Sequence, residues 1–103
     1  MSGFRVQSAA EDRIGEIYLY TRDAWGESQA RAYLDGLYAR FAAIAMHDFP
    51  WRPVPAEFGV SGYVSRYRHH LIYWKILSDD TIGIVTVLHE RMHQIERFRD
   101  DFA

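Results

Sequence analysis

Apolar residues recur with two different periods along this chain, and the periods predict its elements. Phe4 to Gln7 alternates apolar and polar positions, which is the period of a half-buried strand. From Ala10 to Trp25, and again from Ala30 to Ile44, a mostly apolar stripe returns at steps of three and four residues. Each of these two segments therefore predicts a helix that is apolar on one face.

Residues typical of helix ends mark the bounds of both helices. Ser8 and Glu11 have the spacing of a capping box, in which the serine hydroxyl accepts from the Glu11 amide and the carboxylate reaches back. Gly26 is a natural end for the first helix, and the second is expected from about Glu27 to Met46. Two helices joined by one tight connection predict an antiparallel hairpin that covers a sheet.

The remaining segments predict a loop, three strands and a tail. Prolines and glycines interrupt residues 47–62, so we expect a connecting loop that is held down by its aromatic residues. Alternation resumes over residues 63–68 and 70–77, and the second of these strands is apolar on both faces, which suits a central strand. A β-branched run over 82–88 predicts the last strand, and residues 89–103 predict a helix or partly helical tail.

This order predicts an α+β fold, β-α-α-β-β-β, in which a helical hairpin packs on one face of a small, twisted, mainly antiparallel sheet, followed by the C-terminal helix or tail. A length of 103 residues predicts a single domain over 1–103. The other face of the sheet is expected to be partly open, and such a face is where a partner binds.

Composition narrows the classes of function. The chain has no cysteine, which excludes a disulfide scaffold and Cys-ligated zinc. No segment has the length of a membrane span or the pattern of a signal peptide, so we expect a cytoplasmic protein without membrane partners. A net charge of −2 argues against a surface built for nucleic acid, and we expect no direct sequence-specific nucleic-acid binding.

Charge is nevertheless uneven, because residues 63–75 contain three basic and no acidic side chains. Arginine, histidine and tyrosine near strand ends are the groups that metal-free RNA cleavage would need, so a nuclease is one reading of this segment. The alternative is that these are ordinary exposed strand residues. We expect this end of the sheet to bind a target through seven residues: Arg66, Arg68, His69, His70, His89, Glu90 and Arg91.

The segment from His89 to His93 matches H-E-x-x-H, the pattern of a helical zinc site. Only ten residues follow His93, which leaves no later helix to supply a third ligand. We therefore predict no metal, no cofactor and no catalytic residue here.

Three stretches together resemble the RelE/ParE superfamily of bacterial toxins, and most closely its ParE branch: EIYLYTRDAWGESQARAYLDGL in the helices, YRHHLIYW in the central strand, and VLHERMH after the last strand. The similarity covers nearly the whole chain. It implies the toxin of a type II toxin–antitoxin system, with a ParD-like antitoxin as partner and DNA gyrase, inhibited by protein binding, as target.

The resemblance also leaves alternatives. RelE toxins of the same superfamily cleave messenger RNA on the ribosome, so a metal-free RNA endonuclease is the alternative, and a partner that has lost toxicity is a third. The low net charge and the single lysine favour the gyrase branch. The surplus of aromatic residues on the helices predicts the antitoxin surface, for which we name Ile14, Tyr18, Trp25, Tyr33, Leu34 and Leu37.

Overall fold

A computed structural model of the chain describes residues 3–91 and residue 101. Its elements are β1 (Phe4–Val6), α1 (Ser8–Trp25), α2 (Glu27–Ala45), β2 (Arg52–Pro53), a 3-10 turn (Ala56–Phe58), β3 (Tyr63–Tyr67), β4 (His70–Ile76) and β5 (Ile82–His89). The predicted α+β fold with a helical hairpin on the sheet is confirmed. The predicted tail lies outside the described residues, apart from its first residues up to Arg91 and Asp101.

The sheet has the order β1-β5-β4-β3-β2. β1 pairs with β5 in parallel, through Phe4↔Ile82 and Val6↔Ile84, and every other pair is antiparallel. β4 is the central strand, as its two apolar faces predict. β2 was missed at the sequence level, because Pro53 in a proline-rich loop hides a two-residue strand. Proline lacks an N–H donor and is tolerated at such an edge position.

The helical hairpin covers one face of the sheet and forms the main core with it. The α1 residues Ala10, Ile14 and Ile17 are buried there, as the apolar stripe predicts. Phe41 of α2 and Trp74 of β4 are both fully buried in the same cluster. Burial of large apolar side chains of this kind contributes about 2–3 kcal/mol each to folding.

Part of the 47–62 loop turns back over the other face of the sheet. Val54 packs there on Tyr73 and Leu88, with Phe58 at the margin of this second cluster. Trp51 faces the main core, where its indole N–H donates to the Ile44 carbonyl at 2.9 Å. The two aromatic residues therefore hold the loop down as predicted, on opposite faces of the sheet.

The two predicted helix-end signals have different outcomes. The capping box at Ser8 is wrong: Gln7 is the N-cap, no side chain caps the helix, and the Glu11 amide donates to the Gln7 carbonyl at 2.9 Å. Gly26 ends α1 as predicted, with φ at 97°. L-residues rarely adopt this conformation, so glycine lets the chain reverse between the helices without strain.

Candidate functional site

The predicted target residues meet at one end of the sheet, where the two-residue turn between β3 and β4 lies beside the end of β5. The turn consists of Arg68 and His69, and Arg68 has φ 52°. A non-glycine residue in this left-handed region costs about 1 kcal/mol or more, and such residues cluster at functional sites. His70 of β4 pairs with His89 of β5, so the end of β5 lies beside this turn.

Glu90 links the turn to the end of β5. Its carboxylate accepts from Arg66 Nη1 at 2.5 Å and contacts His69 Nδ1 at 2.9 Å. Its backbone N–H donates to the His69 carbonyl at 2.9 Å. The hydrogen bonds from Arg66 and His69 hold the pKa of this carboxyl at about 2. Glu90 therefore stays ionised and compensates the charge of Arg66, whereas no carboxylate among the described residues pairs with Arg68.

His70 is half-buried at this end of the sheet. Its Nδ1 lies 2.6 Å from the Tyr33 hydroxyl, and its ring centroid lies 5.2 Å from that of His89. Burial, together with the neighbouring histidines, lowers the pKa of His70 to about 4. His70 is therefore neutral at physiological pH and is poorly suited to donate a proton as a charged acid.

His89 and Arg91 complete the cluster. The backbone N–H of Arg91 donates to His89 Nδ1 at 3.1 Å, so the neutral His89 ring carries its proton on Nε2. The Arg91 residue is exposed. The structure thus links all seven predicted target residues through hydrogen bonds and ring contacts, Arg91 through its backbone N–H.

A groove of about 800 Å³ runs between α1 and this cluster. We call it the α1 groove. Its lining residues are Arg13, Glu16, Ile17, Tyr20, Thr21, Trp25, Gln29, Tyr33, Arg68, His69, His70, Val87 and His89. One wall is thus helical and partly aromatic, whereas the other carries the imidazoles and the Arg68 guanidinium. A volume of this size accommodates a few side chains of a partner.

The predicted antitoxin residues fall into three environments. Leu37 and Ile14 are 0% and 5% exposed and belong to the core, so an antitoxin would not touch them in this conformation. Leu34 and Tyr18 are half-buried. Trp25 is 68% exposed and lines the α1 groove with Tyr33. Antitoxin binding by this set stays a prediction, and Trp25 is its most accessible member.

The chain matches a known protein family over nearly its whole length. A family profile described as the ParE toxin of the type II toxin–antitoxin system, parDE, matches residues 4–94. The chain belongs to the ParE toxin family. It is 28% identical over 100 residues to Toxin ParE of Escherichia coli, covering 97% of this chain and 96% of that protein. It is therefore a ParE-type toxin of a type II toxin–antitoxin system.

A solved structure shares the fold of this ParE-type toxin. A chain of the chromosomal ParDE TA system from P. aeruginosa matches with a TM-score of 0.70 and 13% sequence identity. The match covers 86% of this chain and 96% of that one. Identity this low supports the fold alone.

Some groove residues of the ParE-type toxin were missed at the sequence level. Tyr20 is 73% exposed and lines the groove with Trp25 and Arg13. A signal was present, because Arg13 and Tyr20 are seven residues apart, two helical turns, and so lie on one face of α1 beside the apolar stripe.

Metal ligation and membrane spanning can be checked only within the described residues. Residues 3–91 and 101 contain no group of three or more histidine or acidic side chains placed to hold a metal ion. His93, the second histidine of H-E-x-x-H, lies outside the described residues, and Glu90 is engaged by Arg66 and His69. No helix within that described part is long and apolar enough to cross a bilayer.

Proposed function

We propose that this ParE-type toxin inhibits DNA gyrase by protein binding and that a ParD-type antitoxin neutralises it. The observation that carries the target assignment is the Glu90 ion pair. In metal-free RNA cleavage, cations must be available to the phosphate and an imidazole must transfer protons. Here Glu90 neutralises the charge of Arg66 and contacts His69, and a pKa of about 4 makes His70 a weak base.

The same arrangement suits docking on a protein surface. Glu90 fixes the turn through two side-chain contacts and one backbone hydrogen bond, so the surface is ordered before a partner arrives. Preorganised surfaces bind more tightly because less entropy is lost on association. The side chains of Arg66 and His69 are still 58% and 74% exposed, which leaves them accessible to a target.

The antitoxin assignment is supported by family membership and by the exposed aromatic residues of α1. Trp25 and Tyr20 are 68% and 73% exposed, and exposed aromatic residues of this kind are typical anchors of protein interfaces. They also lie next to the target cluster. An antitoxin that covers them would sterically block the cluster.

Expression in bacteria without an antitoxin tests the target. We expect growth arrest with filamentation, and we expect purified toxin with gyrase and plasmid DNA to accumulate cleaved DNA. Arg68→Gln should weaken this effect about tenfold, whereas Arg5→Gln, at the opposite end of the sheet beside Asp79, should leave it unchanged. If messenger RNA is cleaved while DNA supercoiling stays intact, the toxin is a RelE-like RNA endonuclease and not a gyrase inhibitor. If growth is unaffected, the chain has lost its toxicity.

A growth-rescue assay tests the antitoxin. A short neighbouring gene whose product begins with a DNA-binding segment should restore growth when it is co-expressed with the toxin. Trp25→Ala should weaken the purified complex by about 2 kcal/mol, the usual loss at an aromatic anchor. Met46→Ala is the matched control, because Met46 is 66% exposed at the far end of α2. Equal losses for both variants would place the antitoxin elsewhere.

A further inference from the structure

The Tyr33 hydroxyl lies in hydrogen-bond contact with one ring nitrogen of His70, since Tyr33 Oη is 2.6 Å from His70 Nδ1. When Tyr33 donates to Nδ1, a neutral ring holds its own proton on Nε2. In that tautomer His70 is an N–H donor.

Burial keeps the imidazole in this neutral form. The pKa of His70 is lowered to about 4, chiefly by loss of solvent, and burial also raises the pKa of Tyr33. Neither group changes charge near neutral pH. The Tyr33–His70 hydrogen bond therefore joins two neutral groups throughout the physiological range.

The residues around His70 give this end of the α1 groove a donor-rich character. Arg68 and His69 line the groove beside it, and Glu90 pairs with Arg66, whereas no carboxylate among the described residues pairs with Arg68. The acidic residue of the lining, Glu16, lies on the α1 wall, where it is 3.6 Å from the guanidinium of Arg13. At this end of the groove, Arg68 thus supplies one positive charge, and His70 supplies an N–H in the Nε2–H tautomer.

Two aromatic side chains of α1 are exposed on its wall of the groove. Trp25 and Tyr20 are 68% and 73% exposed there. A ligand that fits both walls carries one negative, hydrogen-bond-accepting group next to an apolar side chain. An aspartate or glutamate beside a large apolar residue, on a protein segment, has this chemistry. A nucleic-acid strand is less suitable, because one uncompensated arginine matches one carboxylate better than a row of phosphates.

We propose that the α1 groove holds a carboxylate of the neutralising antitoxin, received by His70 Nε2–H and the Arg68 guanidinium, while Trp25 and Tyr20 pack on the apolar side chain next to it. This inference rests on the proposed antitoxin partner and specifies the chemistry of its contact. A charge-assisted hydrogen bond of this kind fixes the register of the bound segment as well as adding affinity.

The first test uses small probes and needs neither gyrase nor antitoxin. Indole-3-acetate carries the carboxylate and the aromatic ring, and indole-3-acetamide is its neutral isostere. Nitrogen-15 NMR of the labelled toxin should show His70 protonated on Nε2. Indole-3-acetate should shift that signal and should bind at least about fivefold more tightly than indole-3-acetamide. Equal binding of acid and amide, or a proton on Nδ1, would refute the carboxylate site.

Variants locate the contact and guard against misfolding. Arg68→Gln should reduce the affinity for indole-3-acetate to that for indole-3-acetamide, whereas Arg5→Gln should leave it unchanged. Circular dichroism verifies that both variants fold. Tyr33→Phe should remove the preference for one tautomer and give a mixture of the Nδ1–H and Nε2–H forms of His70. Phenyl phosphate tests for a nucleic-acid ligand. If phenyl phosphate displaced indole-3-acetate with clearly higher affinity, the ligand of this groove would be a phosphate and not a carboxylate of the antitoxin.

The final test couples the two chains. Once growth rescue has identified the antitoxin, each of its acidic residues is changed to the amide and combined with Arg68→Gln. One pair should be non-additive, because the second change removes nothing once the ion pair is broken. Full additivity at every acidic residue would refute the proposal even if the antitoxin binds and gyrase is the target. Loss of gyrase inhibition alone would leave the probe results intact.

Discussion

Gly36 of α2 lies against the Tyr67 side chain, and its replacement by alanine should destabilise the toxin. A β-carbon at Gly36 would lie 2.2 Å from the Tyr67 hydroxyl oxygen. Tyr67 is 6% exposed, and its hydroxyl donates to the Tyr33 carbonyl at 3.1 Å. A rigid buried ring cannot move away freely, so α2 and β3 must separate or the hydrogen bond must break.

Three terms set the size of the effect. Alanine is favoured over glycine inside a helix by about 1 kcal/mol. Against this, overpacking costs about 1–3 kcal/mol and loss of the Tyr67 hydrogen bond about 1 kcal/mol. We therefore expect Gly36→Ala to lower the free energy of unfolding by about 1–3 kcal/mol, the opposite sign from helix propensity alone.

A double-mutant cycle provides the assay. Tyr67→Phe removes the clashing oxygen and leaves the next ring atom 3.2 Å from the new β-carbon, a contact that a small shift relieves. Urea unfolding followed by tryptophan fluorescence should show that Tyr67→Phe alone costs about 1 kcal/mol. The double variant should be within about 1 kcal/mol of the original chain. A stabilising Gly36→Ala, or an additive cycle, would refute the reasoning.

Three further predictions concern protonation, a half-buried ion pair and a turn. The folded pKa of His70 is about 4 and its unfolded value is 6.5, so the unfolded state binds more protons between these two values. The free energy of unfolding, measured with urea at each pH, should therefore fall by roughly 1–2 kcal/mol from about pH 7.5 to about pH 5. The fall should be smaller in His70→Phe. Asp101 binds Arg13 at 2.8 Å and accepts from Thr86 at 2.6 Å, so Asp101→Asn should cost about 2–3 kcal/mol in the same assay. Gly26→Ala should cost about 1–3 kcal/mol because φ is 97°, which thermal unfolding would measure; no loss would disprove the strain.

Most of the fold was predictable because it depends on local pattern. The apolar stripe of α1 and the β-branched run of β5 face the core as their periods require. Gly26 ends α1, since only glycine reaches that conformation without strain. The errors were local as well: Ser8 has the composition of a cap, but the Gln7 carbonyl takes the position, and Pro53 conceals an edge strand.

The candidate site was predictable in composition but not in arrangement. The sequence placed Arg66, His69 and Glu90 near strand ends, and the structure brings them together. Their contact depends on the register of β3, β4 and β5, which residue types do not reveal. The exposed and buried members of the antitoxin set differ for the same reason: Trp25 and Ile14 belong to one helical stripe, yet only Ile14 reaches the sheet.

The sequence by itself determined the elements, the apolar face of each and the family of this toxin, because short periods and turn residues act within a few positions of the chain. The tertiary structure decided the parallel pairing of β1 with β5, the contact of Tyr33 with His70 across 37 positions, and the ion pair of Arg66 with Glu90 across 24. Such contacts form only after the strands have selected one register, since a shift by one residue would turn every side chain to the other face. The hydrogen bond between Tyr33 and His70 is therefore a property of the folded chain.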